Sequence, residues 1–245
     1  MLYNSKHNKS CLTVIIPCYN EDKTVGSLIK SVLKQEIVGE LIVIDDGSTD
    51  SSVKQIQKIK DRRIRLIQNK KNSGKGHAIA QGIKLSKLPL LVIQDADLEY
   101  NPLEYKKLAR PILADLADVV YGSRYLPSDE KAVLYFWHKL GNNFLTLLSN
   151  IATNLTLTDM ETCFKMMKSS FAKKIVLQEN RFGIEPELTA KLVGLNARFY
   201  EVPISYHGRT YKEGKKITWK DGVSAIFCIL KYNRPKVRNY YKNLI

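Results

Sequence analysis

Short apolar runs, each followed by polar turn residues, recur along the chain. Residues 12–17 (LTVIIP), 41–45 (LIVID) and 90–94 (LLVIQ) are the clearest, and each is too uniformly apolar to alternate between a buried and an exposed face. Weaker runs at residues 63–68, 118–122, 163–167 and 199–204 predict further strands. Strands that are buried on both faces are typical of a parallel sheet covered by helices.

Helical segments are predicted between these strands. They begin near Lys23, after the turn at residues 46–50, at residue 76, at the amphipathic region 132–155, near Glu185 and near Trp219. The alternation of strands and helices predicts an α/β fold with an open, mostly parallel sheet and helices on both faces.

The charge balance indicates a polyanionic partner. Lys and Arg number 39 against 24 Asp and Glu, a formal net charge of +15, which suits nucleic acid, an anionic bilayer or phosphorylated small molecules. No apolar run reaches the roughly 20 residues that span a bilayer, and the amino terminus lacks a signal-peptide pattern. The four cysteines form no C-x-x-C pair, so we expect a reducing, cytoplasmic setting without a zinc knot or a disulfide framework.

Acidic residues follow three of the predicted strands. Asp95 and Asp97 come directly after one strand, Asp45 and Asp46 end another, and Glu21 follows the first. Ligands of open α/β sheets bind at the carboxyl ends of the strands, where an Asp-x-Asp pair can hold a divalent cation on a diphosphate. The same residues could instead be solvated turns or helix caps. Adjacent carboxylates such as the Asp45–Asp46 pair nevertheless repel unless a base, a ribose or a cation compensates them.

A glycine-rich turn opens the third helix. Gly74, Lys75 and Gly76 could cradle a phosphate with backbone N–H groups and an ammonium group, or could form a plain loop. The chain contains neither G-x-x-x-x-G-K-[ST] nor G-x-G-x-x-G, so ATPase and dinucleotide-binding functions lose their usual support.

Taken together, these motifs resemble the family-2 glycosyltransferases with a GT-A fold, in particular the dolichyl- or polyprenyl-phosphate mannosyl- and glucosyltransferase branch. The resemblance rests on residues 16–21 (IPCYNE), 45–50 (DDGSTD), 72–76 (NSGKG), 95–99 (DADLE) and 122–124 (GSR). In the second half it rests on residues 183–187 (GIEPE), on 202–206 (VPISY) and on Arg209, a less specific set.

The resemblance implies a role for each matching residue. The donor nucleotide would be held by Pro17, Tyr19, Glu21, Asp45, Asp46, Lys75 and Asp95. Asp95 and Asp97 would bind Mg²⁺ or Mn²⁺. Glu99 is a third candidate ligand, and since relatives often carry Gln at its position, the resemblance leaves its role open. Asp97, Arg124 and Arg209 would be catalytic, the two arginines pairing with the donor diphosphate or the acceptor phosphate. A solvated surface charge is the alternative for each arginine.

The implied reaction is inverting, metal-dependent transfer of a hexose from a UDP- or GDP-sugar to a polyprenyl phosphate, such as a dolichyl or undecaprenyl phosphate. A phosphate acceptor is already ionised and needs no general base, and the basic residues 209–216 favour it. The alternative is a soluble family-2 enzyme that acts on a glycan or protein hydroxyl, with Glu185 or Glu187 as base. A nucleic-acid-binding protein would leave the acidic strand ends unexplained, and a sugar-nucleotide-binding module without turnover is a further alternative.

We expect residues 1–210 to form the catalytic domain, and residues 211–245 to add a basic loop and an apolar helix near a membrane. The amphipathic region 132–155 suits an interfacial helix, although core packing would give the same pattern. The expected location is the cytoplasmic face of a membrane, with peripheral contact, no nucleic acid partner and an undetermined oligomeric state.

Overall fold

The computed structural model describes residues 10–127, 133, 135–181, 183–208 and 219–244 of the chain. Within these ranges seven strands form one sheet: β1 (Leu12–Cys18), β2 (Val38–Asp45), β3 (Ile64–Gln68), β4 (Leu90–Ile93), β5 (Val119–Ser123), β6 (Lys165–Lys168) and β7 (Phe199–Pro203). Their order across the sheet is β3-β2-β1-β4-β6-β5-β7. The predicted open sheet and each of its predicted strands are confirmed.

One strand runs against the others. β1 pairs in parallel with β2 and β4, β2 with β3, and β5 with β7, whereas β6 is antiparallel to both of its neighbours. The prediction of a mostly parallel sheet is therefore confirmed. Because β6 is reversed, the segment that leads into it lies at the edge where the parallel strands end.

The central strands are buried because they are apolar at nearly every position. Every residue of β4 is buried, and so is every residue of β1 except Pro17, which is partly buried. β3 lies at one edge of the sheet, where its residues are only partly buried or exposed, so polar side chains such as Arg65 are tolerated there. This position explains why its apolar pattern is weaker than those of β1 and β4.

The described helices are α1 (Val25–Leu33), α2 (Ser52–Gln57), α3 (Lys75–Leu85), α4 (Tyr105–Leu113), α5 (Phe136–Thr153), α6 (Ser169–Ala172), α7 (Ile184–Gly194), α8 (Trp219–Tyr232) and α9 (Pro235–Lys242). Each predicted helix is present. The sequence pattern does not predict α4, which packs against β5 and carries Pro111 in its interior, a residue that normally breaks a helix.

The two last helices pack against the rest of the fold. α8 contacts α5 and α7 and buries Cys228, Ile229 and Tyr232, and α9 contacts α7 and buries Tyr241. The expected boundary between residues 210 and 211 lies outside the described residues, so this domain division stays a prediction. Among the described helices, none has the length and apolar character needed to cross a bilayer.

Candidate active site

The ends of the parallel strands and the start of β6 line one edge of the sheet. Segments at this edge carry Pro17, Tyr19, Glu21, Asp45, Asp46, Lys75, Asp95, Asp97, Glu99 and Arg124. The predicted site residues are thus brought to a single edge, except Arg209, which lies outside the described residues.

The loop after β1 is fastened to the loop after β2. The amides of Asn20 and Glu21 donate to Ser48 Oγ (3.0 Å) and Ser52 Oγ (2.8 Å). Thr24 Oγ1 in turn donates to the Ala96 carbonyl oxygen (3.0 Å), which ties the first loop to the segment after β4. Small polar side chains of the turn at residues 46–52 therefore fix the two loops that would face a nucleotide.

Asp45 and Asp46 have different surroundings, although both are buried. Asp46 accepts from Asn69 Nδ2 (2.9 Å) and from the amides of Ser73 (3.0 Å) and Gly74 (2.6 Å), so its carboxylate holds the loop that leads into α3. Asp45 accepts from the Ser48 amide (3.3 Å) through Oδ2, whereas its buried Oδ1 has no hydrogen-bond partner among the described residues. Because an unsatisfied buried oxygen is costly, Asp45 Oδ1 is the better placed of the two carboxylates to accept from a base or a ribose.

The glycines before α3 are explained by close packing of the backbone. Gly74 has a φ of 102°, and a Cβ there would collide with the Asn180 carbonyl oxygen. The Gly76 amide donates to the same carbonyl (2.8 Å). At least one N–H of the possible phosphate cradle is therefore used by the protein itself, and the plain-loop interpretation accounts for both glycines.

A chain of alternating charges lies beneath the loop after β4. Lys75 Nζ is 2.8 Å from Asp95 Oδ1 and 3.5 Å from Glu185 Oε1, and Glu185 also pairs with the fully buried Lys165. Burial opposes the charge of Lys75, but Asp95 and Glu185 more than offset this, so the pKa of Lys75 is raised. Burial likewise opposes the charge of Asp95, but Lys75 outweighs it and lowers the pKa of that carboxyl. The Lys75 ammonium group therefore binds the Asp95 carboxylate in this structure, and its predicted contact with the donor nucleotide stays a prediction.

Asp97 and Glu99 belong to one turn. Asp97 Oδ1 accepts from the Glu99 amide (3.1 Å), and Glu99 Oε2 accepts from the Tyr206 hydroxyl (2.8 Å). The Glu99 carbonyl oxygen also accepts from the His207 amide (2.9 Å). The loop after β7 is therefore attached to the Asp-x-Asp turn.

The carboxylates of this turn fit a metal ion that is shared with a phosphorylated ligand. The predicted ligands Asp95, Asp97 and Glu99 offer carboxylate oxygens, which suit Mg²⁺ and Mn²⁺. Across the described residues, no group of three His, Cys, Asp or Glu side chains is arranged to hold a metal by itself, and Asp95 and Glu99 each use an oxygen on a neighbouring side chain. One or two carboxylates completed by diphosphate oxygens match this donor set better than a site made by protein alone.

Arg124 is held rigidly at the end of β5. Its Nε and Nη2 donate to the two carboxylate oxygens of Asp159 (2.7 Å each), and Nη2 also donates to Asn142 Oδ1 (3.2 Å). The guanidinium carbon lies 5.1 Å from the centre of the Tyr206 ring. Burial opposes its charge, but Asp159 outweighs burial and raises the pKa of Arg124. Arg124 is therefore not a solvated surface charge, and its role toward a phosphate stays a prediction.

The segment before β6 contributes residues that the sequence analysis does not identify. Asp159 is fully buried, and Glu161 is partly buried with Oε1 enclosed and without a hydrogen-bond partner in the described structure. Burial and the nearby Glu185 raise the pKa of Glu161 to about 7, against the opposing charges of Lys165 and Arg124. An acidic Asp-x-Glu triplet a few residues before a strand is the signal that could have indicated this segment.

The two glutamates predicted as possible bases are both in buried ion pairs. Glu185 pairs with Lys165 and Lys75, and Glu187 pairs with Lys191. Glu187 also accepts from the amides of residues 178 and 179 (2.8 Å each), so it fixes the loop before α7. Neither carboxylate is arranged as an available proton acceptor.

Comparison with known proteins assigns this arrangement to a class of transferases. The model of the glycosyl transferase family 2 matches residues 13–176, so the chain belongs to that family and is a glycosyltransferase. An uncharacterized protein of Methanocaldococcus jannaschii is 30% identical over 230 residues, covering 91% of this chain and 92% of that protein.

Two relatives have names that include a lipid phosphate. A dodecaprenyl-phosphate galacturonate synthase of Rhizobium johnstonii is 24% identical over 226 residues, covering 89% of this chain and 64% of the relative. A UDP-N-acetylglucosamine–dolichyl-phosphate N-acetylglucosaminyltransferase of Methanococcus voltae is 25% identical over 185 residues, covering 69% of this chain and 73% of the relative. The resemblance to the polyprenyl-phosphate branch is therefore supported by two relatives that match 89% and 69% of this chain.

Solved structures confirm the GT-A fold. Glucosyl-3-phosphoglycerate synthase of Mycobacterium tuberculosis, in complex with Mn²⁺ and UDP-glucose, superposes with a TM-score of 0.70 at 20% identity, covering 91% of this chain and 79% of that chain.

Proposed function

We propose that the chain transfers a sugar, with inversion, from a nucleotide-diphosphate sugar to a polyprenyl phosphate at a membrane surface. The observation that carries the proposal is a broad exposed apolar face on α5, the helix whose other side contacts Arg124. The names of the Rhizobium and Methanococcus relatives, which act with dodecaprenyl and dolichyl phosphate, support the same acceptor class.

The apolar face is formed by α5 and α8, which pack side by side. Its members are exposed large apolar side chains: Phe136, Trp137, Leu140, Phe144, Leu147 and Ile151 on α5, and Val223, Phe227 and Leu230 on α8. Phe136 and Trp137 are 68% and 76% exposed, which is unusual for such side chains in a protein surrounded by water alone. An amphipathic helix with aromatic residues on its apolar side is typical of a protein that lies in the interfacial layer of a bilayer.

Basic residues that follow α8 along the chain favour an anionic lipid surface as the occupant of this face. α9 and the residue before it carry Arg234, Lys236, Arg238 and Lys242, and the whole chain has a net charge of +15. Basic residues beside an apolar face add electrostatic attraction to anionic lipids. Asn142 of α5 contacts Arg124, so the helix that would dock on the lipid also contacts a predicted site residue.

In this proposal, one group of residues binds the sugar-nucleotide donor and another binds the acceptor phosphate. The loops after β1 and β2, with Tyr19, Glu21 and Asp45, would hold the base and ribose, and Lys75 would place positive charge below the diphosphate. Asp97 with Asp95 or Glu99 would hold Mg²⁺ or Mn²⁺, which when bound stabilises the charge on the leaving diphosphate. Arg124 would orient the acceptor phosphate with its fixed guanidinium. The ionised phosphate would then attack the anomeric carbon without a general base.

Turnover of UDP- and GDP-sugars with Mg²⁺ or Mn²⁺, with and without a short-chain polyprenyl phosphate, tests the proposal. We expect a lipid-linked sugar product that requires both the lipid phosphate and the metal. Donor hydrolysis without any lipid-linked product, across the whole donor panel, would contradict the acceptor assignment and leave the family assignment untouched.

A second candidate function is transfer to a hydroxyl of a glycan or protein, and Glu161 favours it. A buried carboxyl with a raised pKa and an unpaired oxygen has the properties of a general base. If the acceptor is a hydroxyl and Glu161 is the base, Glu161→Gln should lower kcat at least about a hundredfold. If the acceptor is a phosphate, the same variant should keep kcat within about tenfold of the wild type, because no proton has to be removed.

A further inference from the structure

Helix α5 has a second, polar side opposite the exposed apolar residues. Asn142, Thr146 and Asn150 are spaced four residues apart, so they form one row along the helix. Thr146 is buried, and the two asparagines are partly buried. We call these three residues the polar row.

The polar row contacts the catalytic edge of the sheet at three points. Asn142 Oδ1 accepts from Arg124 Nη2 (3.2 Å). Thr146 Oγ1 accepts from the Met160 amide (3.2 Å). Asn150 makes two hydrogen bonds with the backbone of Leu157, donating to its oxygen (2.8 Å) and accepting from its amide (3.0 Å).

The segment that the polar row contacts, residues 157–163, is the site loop. It forms neither helix nor strand, and it carries Asp159, the partner of Arg124. Three more of its backbone amides donate to side chains: those of Thr158 and Asp159 to the Glu201 carboxylate (2.9 and 3.2 Å), and that of Cys163 to the Tyr100 hydroxyl (3.1 Å). The shape of the site loop is therefore set by side chains on α5, β7 and the turn after β4.

We propose that the polar row consists of positioning residues that couple lipid binding on the outer side of α5 to the geometry of Arg124 and the site loop. The coupling rests on the proposed membrane contact. α5 packs against α7 and α8, and its apolar face lies open to solvent, so a lipid surface that binds α5 and α8 restrains the motion of α5. That restraint reaches the site loop through the hydrogen bonds of Thr146 and Asn150, and reaches Arg124 through Asn142.

Amide hydrogen exchange of the full chain tests the coupling without any substrate. The probe is a vesicle of phosphatidylcholine and phosphatidylglycerol that contains no polyprenyl phosphate and no sugar nucleotide. We expect vesicle binding to slow exchange of the amides of residues 157–160 at least about threefold, because these amides donate to the groups that α5 and its contacts hold in place. Unchanged exchange in protein that co-sediments with the vesicles would overturn the inference, and so would absence of co-sedimentation.

Asn150→Ala and Asn143→Ala are the matched variants for this experiment. Asn143 is exposed on the same helix, and its side chain makes no hydrogen bond in the described structure. We expect Asn143→Ala to show the wild-type slowing, and Asn150→Ala to lose it at Leu157 while binding vesicles equally. Equal slowing in the two variants would overturn the role of the polar row.

A turnover measurement separates a positioning role from a structural one. Asn142→Ala removes the acceptor for Arg124 Nη2, whereas Asn142→Asp keeps an oxygen at that place. We expect Asn142→Ala to lower kcat about tenfold with little change in KM for the donor, and Asn142→Asp to recover most of kcat. Equal losses in both variants, or a loss that follows a lower melting temperature, would count against positioning.

The outcomes also distinguish this inference from the proposed function. Slower exchange on vesicles without any lipid-linked product would keep the coupling and refute the polyprenyl phosphate acceptor. Lipid-linked product without a change in exchange would keep the acceptor and refute the coupling.

Discussion

Replacing Glu161 by Gln should change the pH dependence of stability in a defined direction. Burial and Glu185 raise the pKa of Glu161 to about 7, whereas its ordinary value is 4.5. The folded state therefore favours the protonated carboxyl. Its contribution to stability is fully present below pH 4.5, and it is lost as the pH rises through about 7, because the unfolded chain ionises first.

The size of the effect follows from the difference between the two pKa values. Each pKa unit corresponds to about 1.4 kcal/mol, so ionising Glu161 in the folded state costs at most about 3 kcal/mol. Glutamine has the shape of the protonated carboxyl and cannot ionise. The free energy of unfolding of Glu161→Gln, relative to the wild type, should therefore rise by up to about 3 kcal/mol between pH 4.5 and pH 8.

Urea unfolding followed by circular dichroism at several pH values measures this difference. Glu36→Gln is the control, because Glu36 is a surface residue that pairs with the exposed Lys106. The reasoning is refuted if the difference between Glu161→Gln and the wild type stays constant with pH, or if it falls as the pH rises.

Four further single substitutions have expected results. Asp159→Ala leaves the partly buried Arg124 without its carboxylate partner and should lower the free energy of unfolding by about 3 kcal/mol, measured by urea denaturation. Gly74→Ala, at a positive φ against a carbonyl oxygen, should destabilise by more than about 1 kcal/mol, whereas Gly141→Ala, which meets nothing within 4 Å in α5, should stabilise by roughly 0.5–1 kcal/mol in thermal melts. Asp97→Ala should lose at least about a hundredfold in turnover with an unchanged melting temperature, and retained activity with a native melt would contradict its assignment.

The sequence predicts the central strands well because a strand that is buried on both faces is a continuous apolar run. Such a run can be recognised without knowing which elements pack against it. β1 and β4 are apolar from end to end for this reason. The reversal of β6 is not predicted, because the direction of a strand depends on its connection and not on its own composition. Residues 157–163 are consequently not assigned to the site, although the Asp-x-Glu triplet lies within them.

The assignment of individual carboxylates is where sequence reasoning stops. Asp45 and Asp46 are adjacent and chemically identical, yet only Asp45 keeps a buried oxygen without a partner, because Asp46 binds the loop before α3. Glu185 and Glu187 lie at the start of a helix, which suggests that they are caps or bases. In the structure Glu185 pairs with Lys165, which is distant in sequence, and Glu187 pairs with Lys191, one helical turn away. Such pairings depend on tertiary contacts that a single sequence does not reveal.

Because residues 157–163 depend on Glu201, the site can be completed only late in synthesis of the chain. The carboxylate that binds the amides of Thr158 and Asp159 is made about forty residues after them, so a growing chain cannot complete the Arg124–Asp159 side of the site until β7 has been translated and has joined the sheet. β1 to β4, which carry the nucleotide-facing loops, are available much earlier. We therefore expect an unfinished chain to bind the sugar nucleotide without turning it over. Transfer activity should appear only after β7 has been made.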